Sequence, residues 1–328
     1  NTAYGNTAIG IYFGPYEGTI TDVTGIEDFC KLEKFQSTNN HITSIDFTNN
    51  PQLNTIQFYN HLVTSMDLSN NPLLTHVHAV LQGQYQFQTM EILPLASLNL
   101  GTINKVKTLI ANQCSLTTID VTNLVDLEYL MLSSNQLTSL DITQNVKLDE
   151  LHATGGHSHP WNGTSGLGPT NNISSLNTSN NPLLKTLNIG GNQISSVDFT
   201  NNTLLESIDV QAMGGGATPN LLTTLDVSMC SNLTKLRCNR NQLVTLNLGS
   251  NIDLPGLNIC AGNQVFNNTV TTTTTMNLKV GTGTVPNTTG GSGAGGLQTR
   301  VEWAIANWIG QQCPSGFVTL DATVNITT

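Results

Sequence analysis

The motif L-x-x-L-x-L-x-x-N recurs from Leu32 to Leu254, in steps that alternate between ten and eleven residues. One full period is therefore 21 residues. Leu127, Leu130, Leu132 and Asn135 make one half-turn, and Leu137, Leu140, Ile142 and Asn145 make the next. A unit this short cannot bury its own apolar side. It becomes stable only by stacking on copies of itself, so a fixed period near 20 predicts a solenoid.

The half-turns fall into two alternating sets. The A halves start at Leu32, Leu53, Leu74, Val106, Leu127, Leu148, Leu184, Leu205, Leu233 and Leu254. The B halves start at Ile42, Val63, Leu95, Leu116, Leu137, Ile173, Ile194, Leu222 and Leu243. In each half the apolar pair at positions four and six straddles an outward residue, the period of a short strand. Position nine carries Asn40, Asn50, Asn71, Asn135, Asn145, Asn181, Asn192, Asn202, Asn241 and Asn251. Where a stacked chain turns a corner, backbone groups lose their sheet partners. A buried amide side chain can then satisfy them, so these asparagines read as a structural ladder.

This pattern resembles the leucine-rich repeats of bacterial proteins, built from alternating L-T-S-L-D-L-S-N-N and L-x-x-L-x-C-x-x-N-Q-L units. Leu137–Asn145 (LTSLDITQN) and Leu233–Leu243 (LTKLRCNRNQL) show the two types, and the likeness covers roughly residues 20–265. It implies a leucine-rich-repeat solenoid of about ten turns. A parallel sheet lines the concave A face, and short strands or turns form the other side. Ten A strands about 4.8 Å apart give a sheet roughly 45 Å wide. The resemblance further implies binding of proteins or glycans, often at cell surfaces.

The expected organisation is an N-terminal cap (1–31), the solenoid (32–265), a Thr/Gly-rich linker (266–296) and a C-terminal cap or the start of a further domain (297–328). The cap contains an imperfect first turn at Ile20, Val23 and Ile26. The opening phrase NTAYGNTAIG resembles the short repeats of adhesin heads and viral fibres. Three A halves are longer than ten residues, which predicts loops at 81–94, 155–172 and 212–220, all following an A strand. Insertions on one face of a solenoid often mark its binding face, although loops also tolerate insertion without a role.

Charge narrows the function. Asp, Glu, Lys and Arg make up only 10% of the chain and the net charge is −10. Eleven scattered basic residues cannot form the clustered cation surface that nucleic acid requires. No apolar run reaches 18 residues, so no membrane span is expected. Neutral polar residues keep the surface wet, which suits an extracellular, cell-surface or virion-surface setting. The six cysteines contain no C-x-x-C and read as buried thiols, with a Cys260–Cys313 disulfide as the alternative.

The outward fifth position separates the two halves. In B it is Asp46, Asp67, Asn99, Asp120, Asp141, Asn177, Asp198, Asp226 and Asn247. Carboxylates stacked about 5 Å apart repel by about 1 kcal/mol per pair in water-like surroundings. Ser44, Ser65, Thr118, Ser139, Ser196 and Thr224 are the neighbouring donors expected to offset this. Calcium bridging is the sharper alternative, without a matching calcium motif; no cofactor is otherwise expected. In A the same position is Gln36, Gln57, His78, Ile110, Met131, His152, Asn188, Asp209, Arg237 and Asn258. A uniform row implies scaffold, and a varied row with apolar members implies a partner surface.

Candidate contacts are therefore Tyr59, His76, His78, Tyr129, Met131, His152 and Arg237 on the A face, with Trp161 from the longest loop. The H-x-H pair at His76 and His78 can chelate a metal, but surface histidine is the commoner case and no metal is expected. No G-x-S-x-G, H-E-x-x-H or Walker A motif occurs, so the chain is expected to be non-enzymatic. The expected function is adhesion or recognition of a protein or glycan. The alternative is a structural subunit of a fibre, filament or capsid that self-assembles through its terminal segments.

Overall fold

A computed structural model describes residues 10–13, 20–38, 40–59, 61–80, 95–155, 170–211, 220–238, 241–243, 245–249, 251, 256–258, 277–280 and 325–327. Its dominant element is one parallel sheet of eleven strands. Ten of them are the A halves: Lys34–Thr38, Thr55–Tyr59, His76–Val80, Thr108–Ile110, Tyr129–Met131, Glu150–His152, Thr186–Asn188, Ser207–Asp209, Lys235–Arg237 and Gly256–Asn258. The eleventh, Gly10–Phe13, precedes them and pairs with Lys34–Thr38. The N-terminal segment thus contributes a full sheet strand.

Registry follows the repeat. Position five of each A half lies beside position five of the next, as in His78–Ile110, Ile110–Met131 and Met131–His152. Positions one, four and six point inward. Leu127, Leu130 and Leu132, and likewise Leu184, Leu187 and Ile189, are fully buried. Each such side chain is worth roughly 1.5–3 kcal/mol of burial. At the N-terminal end phenylalanines replace leucine. Phe35 packs against Phe13, Phe47 and Phe58 at centroid separations of 5.1–5.9 Å.

The B side is less regular. Ser65–Asp67 pairs with Ser97–Asn99, and Thr224–Asp226 pairs with Thr245–Gly249. Asn277–Val280, inside the stretch read as linker, adds to the latter pair, and Asn325–Thr327 adds to it in turn. The B halves between these sheets turn without forming strands.

Between the two sides run two ladders of buried polar side chains. On the B-to-A corner each Asn Nδ2 donates to carbonyls of the preceding turn. Asn71 bonds Phe47 and Asn50, Asn181 bonds Ile142 and Asn145, and Asn202 bonds Thr178 and Asn181. On the A-to-B corner the same amides also accept. Asn135 donates to Ala111 and Leu132, and its Oδ1 receives the N–H groups of Cys114 and Leu116. Asn40 likewise receives the Ile20 N–H, and Asn192 receives that of Ile173.

Three residues that motif-counting passed over, together with Cys114, complete the A-to-B ladder. Asn171 and Asn220, both fully buried, end two of the long A halves and donate to ladder carbonyls. Cys114 donates its thiol to Ala79 O at 2.9 Å, in place of an amide. His61 stands at the same position, with Nδ1 accepting the Val63 N–H and its ring 3.7 Å from that of Phe58. Burial drives the His61 pKa down to about 3, so the ring is neutral. The signal was available: each of these residues stands two places before a B start, whatever the length of the A half.

The cysteine expectation needs one correction. Cys114, Cys230 and Cys238 are buried, and burial pushes the Cys238 thiol up to about 12. Cys30 is exposed, because it occupies the outer corner two residues before Leu32. Cys260 and Cys313 lie outside the described residues.

Candidate binding face

The concave face is the outward side of the A strands. Five adjacent strands, from Thr55–Tyr59 to Glu150–His152, carry its aromatic, histidine and apolar side chains. Tyr59 Oη lies 3.1 Å from His78 Nδ1 on the next strand, with the rings edge to face. His76, two residues earlier, is exposed, and its Nδ1 lies 2.8 Å from the Thr75 hydroxyl. Burial, then the neighbouring His76, lowers the His78 pKa. Burial raises that of Tyr59.

A second cluster forms around Met131. The Tyr129 hydroxyl approaches the Met131 sulfur at 3.2 Å, and the amide of Asn112 lies 3.8 Å from it on the other side. The Tyr129 ring sits 6.0 Å from that of His152, and His152 Nε2 lies 3.5 Å from a Glu150 oxygen. Burial, then Glu150, raises the Tyr129 pKa. Ile110 stands between the clusters, beside His78 on one side and Met131 on the other. Six half-buried side chains (Tyr59, His78, Ile110, Tyr129, Met131, His152) thus share one surface about 20 Å across, at about 4.8 Å per strand.

Arg237 lies apart, three strands beyond His152. Its guanidinium is 3.5 Å from Asp209, a buried carboxylate that also receives the Gln211 N–H. Burial raises the Asp209 pKa; the Gln211 N–H, then Arg237 and Lys235, pull the other way. Trp161, His157 and His159 lie outside the described residues, as do 81–94, 156–169 and 212–219. Gly155, where the longest insertion leaves the sheet, stacks so tightly that a Cβ there would meet Gly191 O at 1.6 Å.

The B column has a different chemistry. Oδ1 of Asp46, Asp67, Asp120, Asp141, Asp198 and Asp226 accepts the backbone N–H two residues on. Asn99, Asn177 and Asn247 accept in the same way, as does Asp22 in the first turn. Where the second residue is Thr, its hydroxyl adds a bond, as from Thr122 and Thr143. The donors are thus residues after the carboxylates rather than Ser44, Ser65, Thr118, Ser139, Ser196 and Thr224 before them. A carboxylate can reach the forward N–H in one tight turn. Among the described residues no group of three or more His, Cys, Asp or Glu is placed to hold a metal ion, and no helix is long and apolar enough to cross a membrane.

No family model matches the chain, and no curated protein sequence matches it. Solved structures do. The functional domain of InlJ from Listeria monocytogenes, described as including a cysteine ladder, is 26% identical with a TM-score of 0.54, over 83% of this chain and 59% of that one. YopM from Yersinia enterocolitica is 21% identical with a TM-score of 0.52, over 70% of this chain and 42% of that one. Drosophila Toll, in its complex with Spatzle, is 16% identical with a TM-score of 0.50, over 73% of this chain and 30% of that one. The chain therefore spans between 30% and 59% of the length of these neighbours. Repeat spacing, the order of the eleven-stranded sheet and these likenesses give this chain the fold of a leucine-rich-repeat solenoid, similar to that of the bacterial InlJ domain.

Proposed function

We propose that the chain is a non-enzymatic recognition module that binds a protein partner across its concave face, at an outer cell or particle surface. One observation carries this reading: the B column is uniform because each residue caps backbone, whereas from Thr55–Tyr59 to Glu150–His152 the A face presents Tyr, His, Ile and Met together without that duty. Aromatic and thioether groups flanked by hydrogen-bonding ones are what protein interfaces favour. A solenoid of this fold holds a protein in the Toll–Spatzle complex. Charge supports the same side. The described A strands present Lys34, Lys235 and Arg237 against Glu150 and Asp209, while the back carries the Asp row. A neutral or acidic partner is steered away from the back and toward the concave face.

The test is binding of the full chain to arrays of surface proteins and of glycans, followed by the triple alanine variant of Tyr129, Met131 and Trp161. Loss of a protein hit with an unchanged melting temperature supports the proposal. Retained binding overturns it, and hits confined to the glycan array replace the protein partner with a sugar.

A further inference from the structure

The two rims of the solenoid differ. All three insertions leave the A-to-B rim. On the opposite rim every step from a B start to the next A start is eleven residues, without exception over nine turns. Four consecutive corners there close alike, with the first A residue donating to the ladder position three before it: Leu127 to Leu124, Leu148 to Asn145, Leu184 to Asn181, Leu205 to Asn202. Along four consecutive turns this edge carries one exposed apolar side chain per turn, beside the ion pair of Asp126 and Lys147. Val125, Val146, Leu183 and Leu204 are 43, 48, 45 and 37% exposed.

Beside this stripe runs a column of charges at the second A position. Its backbone is in strict register, Glu128 N bonding Lys107 O, then Asp149 to Glu128, Lys185 to Asp149 and Glu206 to Lys185. The signs in order are Lys107 (+), Glu128 (−), Asp149 (−), Lys185 (+) and Glu206 (−). Reversed about Asp149, this order places Lys107 opposite Glu206 and Glu128 opposite Lys185.

We infer that this rim is a self-complementary surface on which a second copy of the chain docks antiparallel. The dyad lies in the interface and passes beside Val146. Each off-axis charge then meets its opposite, giving four cross-chain pairs, and Val125 meets the Pro182–Leu183 corner. Within one chain Lys107 already pairs with Glu128 at 2.9 Å, Lys147 with Asp126 at 2.6 Å and Lys185 with Asp149 at 3.0 Å, so the cross-chain contacts join these exposed pairs into a network. The parallel alternative sets every charge against itself. A two-fold axis running from back to front also leaves both concave faces opening in the same direction, so the dimer is bivalent. Five turns make a strip roughly 20 Å long, which is the size class of transient rather than permanent association.

Sedimentation velocity of the full chain tests this. The expected result is a monomer–dimer equilibrium that shifts with concentration, weakens in high salt and disappears in Val146→Asp, a surface change that leaves the circular-dichroism melt in place. Under mild oxidation Val146→Cys forms a reducible dimer beyond the wild-type background, whereas Leu204→Cys does not, since it faces the Lys105 corner rather than itself. A chain that stays monomeric at every concentration, a dimer indifferent to Val146→Asp, or equal cross-linking at Leu204 overturns the inference. The concave-face proposal is untouched by any of these outcomes.

Discussion

The same alternating motif builds a concave side and a back, and the outward residue varies from repeat to repeat on only one of them. In an A half the strand N–H and C=O groups pair with neighbouring turns, as Ala111 N does with Met131 O and Leu132 N with His152 O. The outward side chain is therefore released from backbone duty, with Asp209, which accepts the Gln211 N–H, as the exception. Most B halves between Ile103 and Leu222 form no strand, and the N–H at position seven needs an acceptor. Asp or Asn at position five supplies it. Uniformity on the back is thus local backbone chemistry, and diversity on the front is what remains when that chemistry is already satisfied.

The comparison breaks most visibly if a ladder residue is removed beneath both faces. Asn135→Ala deletes two donated bonds to Ala111 and Leu132 and orphans the N–H groups of Cys114 and Leu116. Unsatisfied buried groups cost about 1–3 kcal/mol each, so the expected loss is about 3–5 kcal/mol. Asp141→Ala, whose N–H partner is reachable by water, is expected to cost about 1 kcal/mol. Urea midpoints of the two variants check the order. Equal midpoints would mean that the ladder is no more than another cap.

His61 sharpens the contrast between amide and imidazole in the same ladder. Its folded pKa of about 3 lies below the ordinary 6.5, so between these values the unfolded chain takes up the proton and the folded chain does not. Stability is complete above pH 6.5 and falls as pH drops toward 3, by about 1.4 kcal/mol per unit. His61→Asn, the ladder's usual residue, is expected to abolish that slope. Thermal melts from pH 7 to pH 4 read it directly, and parallel curves for the two proteins would refute the neutral buried ring.

On the front the expected stability effect is smaller and the functional one is larger. Tyr129 and Met131 are half-buried, so the double alanine variant should lose only about 1 kcal/mol while weakening partner binding at least tenfold, as loss of an aromatic anchor does. A melt and a binding titration on one sample separate the two. A large loss of stability with unchanged affinity would make the front as structural as the back.

Much of this architecture was legible because position four and position six are apolar in every half-turn but two, where Ser37 and Thr178 take position six. Leu130 with Leu132, and Leu187 with Ile189, locate their strands to the residue. The front row was legible for the same reason: a period fixes which residues share a face, and so His78, Ile110, Met131 and His152 could be aligned from sequence. Sequence could not show that Tyr59 and Tyr129, at different positions of their half-turns, each turn toward a histidine one strand on. That depends on rotamers in a crowded sheet rather than on spacing. The ladder roles of Asn171 and Asn220 were missed because the motif was counted from the A start, and the insertions fall between that start and the ladder; His61 stands at the ordinary ninth position and was missed because it is not an amide.

The smallest expected effect tests why the back is Asp rather than Asn. Asp141→Asn keeps the oxygen that accepts the Thr143 N–H and removes a charge that pushes on Asp120. Stability at pH 7 should therefore change by no more than about 0.5 kcal/mol. The Thr143 hydroxyl, then its N–H, hold the Asp141 carboxyl below its ordinary 3.8. Its contribution is present above that value and is lost as pH falls through the lower folded one, whereas the amide loses nothing. Urea unfolding at pH 7 and pH 3 should show the variant level with the parent at the first and ahead of it at the second. Asn99, Asn177 and Asn247 already make this substitution, and Asn247 donates to Asp226 Oδ2 at 2.8 Å. If Asn serves the backbone as well as Asp, the surplus of Asp is explained by solubility instead. A solenoid with only 10% charged residues keeps its back from associating by placing like charges there, which leaves the front and the insertion-free rim as the surfaces open to a partner.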